Sequence, residues 1–407
     1  MLTAAPVTLA DVRAARDVVV DVVRRTPLEP NRALSERVGG PVFLKCENLQ
    51  RAGSFKIRGA YTRMSRLTAA ERARGVVAAS AGNHAQGVAL AAQILGIEAH
   101  IFMPVGAPLP KIHATRGYGA QVTFHGSSVD DALTAATAYA GATGAVLIHP
   151  FDHPDIVAGQ GTVGLEIVEQ CPDVGTVLVC TGGGGLLAGV STAVRALRPD
   201  ACIVGVQAEG AAAYPASLAA GHPVALAAMT TMADGIAVGR PGDVPFALVS
   251  RHVDDVVTVS EEQLSGALLF LLERAKLVVE PAGAAGVAAL LGDGLTGRLR
   301  PPVVAVLSGG NIDPLLMMRV IRHGMASAGR FLQFRLRTPD RPGSLAALLA
   351  LLAQVRANVL EVEHVRTTPR LRVDEVEIAL RLETQGPDHC EEVLAALRAA
   401  GHALLFN

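Results

Sequence analysis

Tryptophan is absent from the 407 residues, and the aromatic side chains are ten phenylalanines and four tyrosines. With half of the chain hydrophobic, the core must be built from small aliphatic groups. Lysine is scarcer still. Of 36 basic residues only Lys45, Lys56, Lys111 and Lys276 are lysines, so chemistry that needs a primary amine has four candidates. Charge of either sign is sparse, at 18% of residues with a net charge of -1. That balance argues against disorder and against a nucleic acid or an anionic membrane surface as partner. The five cysteines (Cys46, Cys171, Cys180, Cys202, Cys390) are odd in number and form no C-x-x-C pair. Neither structural zinc nor a disulfide framework is expected, and a reducing cytoplasm fits. Mean hydropathy is positive, at +0.36, yet no run approaches the ~20 apolar residues of a spanning helix; Leu345–Ala353 is among the longest. Residues 1–10 lack a charged segment followed by an apolar one, so no signal peptide is expected.

Glycine, by contrast, is abundant at 42 residues, and at about 150 residues per domain the length suits two or three domains. Leu9–Arg24 has apolar residues at helical spacing and reads as an amphipathic helix. From Val42–Leu44 onward short apolar runs recur: Val76–Ala79, Ile101–Met103, Val122–Phe124, Ala145–Ile148, Val177–Cys180, Ile203–Val206, Val256–Val259 and Val303–Leu307. Alanine-rich stretches of helical period, such as Asn83–Leu95 and Ile156–Gln170, lie between most of them. This alternation predicts an α/β fold with parallel sheets covered on both faces. A helix over Pro314–Ala328 closes the region. Beyond it come a strand, Phe331–Arg337, a turn, Thr338–Gly343, and a helix, Leu345–Arg356, with Ser344 as its cap. Strands at Asn358–Val365 and Leu371–Leu382 follow, the second alternating Val373, Val376, Ile378 and Leu380 with charges; a helix, Asp388–Ala400, and a strand, Ala403–Phe406, end the chain. That order is ferredoxin-like α+β. The expected domains are 1–328, with two α/β lobes, and 331–407, linked through Ser327–Arg330.

Four constellations can carry chemistry. Gly53-Ser54-Phe55-Lys56-Ile57-Arg58-Gly59-Ala60 sets a lysine among glycines after a strand. Most lysines are solvated, but a buried one loses its charge readily and can form a Schiff base. Ser80-Ala81-Gly82-Asn83-His84 joins a strand to a helix, as either an ordinary turn or an anion-binding helix start suited to a carboxylate. Thr181 is followed by Gly182-Gly183-Gly184-Gly185-Leu186. A mere turn needs one or two glycines, whereas a loop wrapping a phosphate with bare N–H groups needs them all. Ser308-Gly309-Gly310-Asn311 ends a further strand, and its hydroxyl can hydrogen-bond a ring nitrogen. Strand ends of this kind converge on the ligand crevice of open parallel sheets. The spacing Gly183-x-Gly185-x-x-Ala188, with Glu209 closing the next strand, also satisfies the loose dinucleotide pattern. A nicotinamide-dependent oxidoreductase is therefore a rival on spacing alone.

GSFKIRGA, SAGNH, TGGGGLLAG, EPAGAAG and SGGN, in this order and spacing, resemble the fold-type II pyridoxal-phosphate enzymes, the tryptophan-synthase-β-like group. Within that group ENLQRAGSFKIRGA and SAGNHAQGVA are similar to the threonine ammonia-lyases, and the resemblance covers roughly Leu9–Ala328. The tail PDRPGSLAALLALLAQVRANVLEVEH resembles an ACT domain, an amino-acid-sensing module, so the whole is similar to the one-ACT form. The resemblance implies pyridoxal 5'-phosphate as cofactor. Lys56 would carry it as a Schiff base and move the α-proton, Phe55 would flank the ring, and Asn83 would hydrogen-bond the ring hydroxyl. Gly182, Gly183, Gly184, Gly185 and Leu186 would hold the phosphate, and Ser308 would face the pyridine nitrogen. A hydroxyl there leaves that nitrogen unprotonated, which tempers the electron sink and favours β-elimination. Ser80, Ala81, Gly82, Asn83 and His84 would bind the substrate carboxylate. The implied reaction converts L-threonine, or alternatively L-serine, to a 2-oxo acid and ammonia, with 2-oxobutanoate from threonine feeding isoleucine synthesis.

Serine racemases of this group carry a serine immediately before Gly-Asn-His; here that position is Ala81, which cannot transfer a proton, so dehydration is expected over racemisation. Those racemases also bind a divalent cation near the position of Glu209 with a second acidic residue. Here Gly210-Ala211-Ala212-Ala213-Tyr214-Pro215 supplies none, and no metal site is expected. Resemblance to ACT domains implies a homo-oligomer, dimer or tetramer, with an amino-acid effector such as isoleucine near Thr338–Ser344 and Asn358. A catalytically inactive amino-acid-binding regulator is the non-enzyme rival, and the intact motifs weigh against it.

Overall fold

The computed structural model describes residues 7–366 and 371–406. They divide into two compact units, with the boundary at Asp313 and Pro314. The helix Pro314–Ser327 thus goes with the second unit, whereas the rhythm of the sequence groups it with the first.

The first unit contains two sheets. The larger has six strands in the spatial order Leu28–Pro30, Val42–Lys45, Val303–Val306, Thr176–Cys180, Cys202–Ala208 and Asp255–Val259. Its first strand is antiparallel and all later pairs are parallel. The smaller sheet is wholly parallel, in the order Gln121–Phe124, Ala99–Met103, Val76–Ala79 and Val146–Leu147. Every residue of Val76–Ala79, Thr176–Cys180 and Val303–Val306 is buried, as strands covered on both faces require. The parallel α/β expectation holds. Leu28–Pro30 was not foreseen, because three edge residues ending in proline are too short to show a pattern. The first helix stops at Val19 rather than continuing to Arg24.

Three helices link the two sheets to the chemistry. Pro154–Gln170 packs against both Lys56–Ser65 and Gly185–Leu197. Glycine permits the approach. A Cβ on Gly159 would lie 2.6 Å from the Arg58 carbonyl oxygen, and one on Gly189 would lie 2.4 Å from that of Val157. Backbone therefore touches backbone at both crossings. The helix that starts at Lys56 is held in fixed register with the helix that starts in the glycine loop.

The second unit is a four-stranded antiparallel sheet in the order Asn358–Val365, Glu375–Glu383, Phe331–Pro339 and Leu404–Leu405, with helices Ser344–Gln354 and Pro387–Ala399. This is the ferredoxin-like arrangement the element order predicted. Phe334, Leu336, Val376, Ile378, Leu380 and Leu382 meet Leu348, Leu352, Val393 and Leu397 in its core. Two local expectations fail. Val373 is fully exposed in a turn, and Leu382 completes the alternation instead. Ser344 is the first helical residue and not the cap; Gly343 occupies that position with a φ of +91°, a left-handed conformation that suits glycine.

Candidate functional site

Backbone hydrogen bonds tie the SGGN loop to the segment before Lys56. Leu307 N donates to the Lys45 carbonyl at 2.9 Å, Phe55 N to that of Ser308 at 3.1 Å, and Gly310 N to that of Gly53 at 2.9 Å. Ser54 and Gly309 form an isolated antiparallel bridge. The lysine and the serine hydroxyl, 252 positions apart in sequence, are therefore set by one piece of main chain. Below Lys56, Arg58 is completely buried and binds Glu47 through two nitrogens at 2.8 Å and Glu166 at 2.7 Å. Lys45 adds a bond to Glu166 at 2.6 Å. Burial alone would raise the Glu47 pKa, but the charge and hydrogen bonds of Arg58 outweigh it and hold the carboxyl below its ordinary value. Two cations and two anions balance. Deleting one partner of such a buried set costs about 3–5 kcal/mol, because an unpaired charge stays behind.

A cavity of about 460 Å³ lies at these strand ends. The residues assigned to the cofactor and the substrate carboxylate line it: Phe55, Lys56, Ser80, Ala81, Gly82, Asn83, His84, Gly182, Gly183, Gly184, Gly185, Leu186 and Ser308. They arrive from both sheets: SAGNH follows a strand of the smaller one, and the glycine loop and SGGN follow strands of the larger. Glu209 is exposed and is not among the lining residues, which removes the acidic partner that the dinucleotide reading needs.

The chemistry of the walls is distinct on each side. The glycine loop ends at the N-terminus of the 13-residue helix Gly185–Leu197, where the first-turn N–H groups have no helical acceptor and the helix dipole favours an anion. Side chains are excluded here. A Cβ on Gly183 would lie 2.4 Å from the Phe151 ring, and one on Gly184, at a φ of +96°, only 1.8 Å from the Tyr214 hydroxyl. Burial pulls the Lys56 amine down to about 8, against a smaller upward pull from Glu280. Its Nζ donates to the Pro150 carbonyl at 3.0 Å and lies 5.1 Å from the centre of the Phe55 ring. Ser308 is buried beside Cys180, whose thiol burial pushes up to about 11, so it stays neutral.

Burial, with the nearby Lys56 charge second, depresses His84 to about 3. A neutral ring 2.7 Å from the Ile148 carbonyl must donate through Nε2. The SAGNH loop consequently offers main-chain and hydroxyl groups to an anion, not an imidazolium charge. The cation beside it is Lys111, whose Nζ would be 3.4 Å from a Cβ on Gly82 and which pairs with Asp234 at 2.5 Å. Sequence reasoning passed over Lys111, which has no glycine-flanked setting, and left Glu280 without a role although EPAGAAG was part of the pattern. Both line the cavity. Burial, with the Asp234 charge second, raises the Glu280 carboxyl to about 7.

A partly buried, neutralisable amine, an anion-binding helix start and a buried hydroxyl around one cavity fit the three polar ends of a phosphorylated pyridine aldehyde. Comparison with known proteins agrees. The family model described as "Pyridoxal-phosphate dependent enzyme" matches residues 19–309. An L-threonine ammonia-lyase of Thermotoga maritima is 49% identical, covering 97% of this chain and 98% of that protein. One from Geobacter sulfurreducens is 44% identical over 98% of each. Among solved structures, a threonine deaminase from T.th. superposes with a TM-score of 0.71 at 43% identity, covering 75% of this chain and 99% of that one.

Proposed function

Because the chain belongs to the pyridoxal-phosphate dependent enzymes, we propose that it converts L-threonine to 2-oxobutanoate and ammonia, with Lys56 as its catalytic residue. The observation that carries this is the amine of Lys56, partly buried in the cavity wall and lowered to about 8 by desolvation, in one cavity with the glycine loop and Ser308. The names of the relatives support threonine as the substrate. Bound in the cavity, the cofactor supplies an electron sink for charge that develops at the α-carbon of an attached amino acid.

The chain's own groups do the rest. Gly182 to Leu186 would hold the phosphate with main-chain N–H groups, Ser308 would meet the ring nitrogen without imposing a charge, Phe55 would flank the ring and Asn83 would meet the ring hydroxyl. Lys56 would hold the cofactor through Nζ and would give up that place to the substrate amine. The freed Nζ then accepts the α-proton, a task matched to an amine of lowered pKa. Ser80 to His84 fix the substrate carboxylate, which orients the α-proton toward Lys56. Loss of the β-hydroxyl as water, followed by hydrolysis, completes the change. L-serine, lacking only the methyl group, is the comparison substrate in the decisive assay, production of 2-oxo acid from each amino acid by the cofactor-loaded protein.

We assign regulation to residues 331–407, through an amino-acid effector such as isoleucine bound near Thr338–Ser344 and Asn358. The ferredoxin-like order of the unit supports this. Its edge strand Asn358–Val365 keeps Leu360 and Val362 exposed, which supports side-by-side pairing in a homo-oligomer. Among the described residues no helix is long and apolar enough to cross a membrane. The five cysteines are free, which suits a cytoplasmic setting.

A further inference from the structure

Glu280 occupies the N-cap position of the helix Pro281–Leu291, yet its side chain makes no cap bond to that helix. It lines the cavity instead, only 2% exposed. Its own N–H is anchored on the Gly309 carbonyl at 3.0 Å. The glycines around it make the room, since a Cβ on Gly309 would lie 2.2 Å from Oε1. Oε1 accepts from Asn83 Nδ2 at 2.5 Å, whereas the buried Oε2 has no hydrogen-bond partner among the described residues.

A chain of amides fixes these roles. The Ala52 carbonyl can only accept, so Asn311 must turn its nitrogen to it, at 2.7 Å. The same nitrogen donates to Asn83 Oδ1 at 2.8 Å, which leaves Asn83 to present its own nitrogen to Glu280. The carboxylate oxygen therefore acts as an acceptor held in place from the backbone. Charged and titratable groups face it from each neighbouring element: Lys56 from its helix, Lys111 from the helix Leu109–Gly117, Asp234 from the turn Asp234–Ile236, and Cys180 from its strand. Lys111 already has Asp234 as an ion-pair partner. Lys56 has no ion pair among the described residues and only a carbonyl as hydrogen-bond acceptor.

We propose that Glu280 is a positioning residue: clamped by Asn83 through one oxygen, it is the counter-charge that governs how firmly Lys56 holds the proton it must give up and take back. The proposal rests on the reading of the cavity as the cofactor site. Ionised, Glu280 stabilises the protonated amine; protonated, it releases that hold. Because the carboxyl is raised to about 7, the change falls within the range in which Lys56 itself titrates.

The test is the rate at which full-length apoprotein takes up pyridoxal 5'-phosphate as a function of pH, followed by visible absorbance, since only the neutral amine attacks the aldehyde. In Glu280→Gln the midpoint falls by about one pH unit, the low end of the effect of an adjacent opposite charge. In Glu280→Asp, which keeps a titrating carboxyl, the midpoint stays close to the parent's. An unchanged midpoint in Glu280→Gln, or equal shifts in both variants, overturns the proposal. Failure of the parent protein to gain visible absorbance at any pH would instead defeat the cofactor reading itself.

Discussion

Replacing Gly159 with alanine separates positioning from stability. In the native crossing of Pro154–Gln170 over Lys56–Ser65, the new methyl carbon would sit 2.6 Å from the Arg58 carbonyl oxygen, 2.6 Å from the Gly59 Cα and 2.7 Å from Thr62 Oγ1. The first two are main-chain atoms and cannot swing away. Thr62 is itself committed, donating to the Arg58 carbonyl at 2.7 Å. Ordinary carbon contacts lie at about 3.5–4.0 Å, so the helices must part by about 0.9 Å. Overpacking of this kind costs about 1–3 kcal/mol, and alanine in place of glycine returns about 1 kcal/mol of helix propensity. The net loss is at most about 2 kcal/mol, a drop in Tm of only a few degrees for a unit this large. Catalysis should suffer far more. Lys56 begins the displaced helix, and a misplacement near 1 Å costs about 10²-fold. Turnover per bound cofactor, measured beside thermal unfolding, therefore falls about a hundredfold in Gly159→Ala while the protein stays folded. Turnover within twofold of the parent would refute the claim that this crossing positions the lysine, and a collapse of Tm would show that unfolding, not displacement, is the cause.

Two further outcomes follow from the same structure. Desolvation lowers the Lys56 amine from 10.5 to about 8, and the neutral form is the nucleophile, so cofactor uptake by the apoprotein rises with pH through a midpoint near 8; a midpoint near 10.5 would mean that the cavity does not desolvate the amine. Truncation after Arg330 removes residues 331–407, and a response of turnover to isoleucine in the full chain is then lost; if the response survives truncation, the effector site lies elsewhere.

The parts of the site that rest on local chemistry were readable from the sequence. Four consecutive glycines stand out because an ordinary turn would waste their backbone entropy, and Lys56 stands out by its setting between Gly53 and Gly59; both line the cavity. The strand Val76–Ala79 was legible to the residue, and Val303–Leu307 to within one residue of the observed Val303–Val306, since a strand buried on both faces has no polar positions. What depends on distant neighbours was hidden. Lys111 sits in a short proline-flanked helix and gains meaning only from Gly82 and Asp234, which the fold brings to it. Glu280 had no role in the sequence, and only its neighbours, Asn83 and Gly309, show where its side chain points. Gly159 and Gly189 gain their meaning only from the opposing main chain. Glu209 misled in the other direction: its spacing after the glycine loop suited a ribose, but the strand ends one residue before it and leaves it in solvent.

Production of 2-oxobutanoate from L-threonine by the purified full-length protein, with pyridoxal 5'-phosphate present and visible absorbance recorded alongside, tests the central claim most directly. The account predicts 2-oxobutanoate and a visible band from the parent, and loss of both in Lys56→Ala, with Lys45, Lys111 and Lys276 unable to substitute. Turnover or a visible band retained in Lys56→Ala, or a parent protein that yields neither, would contradict it.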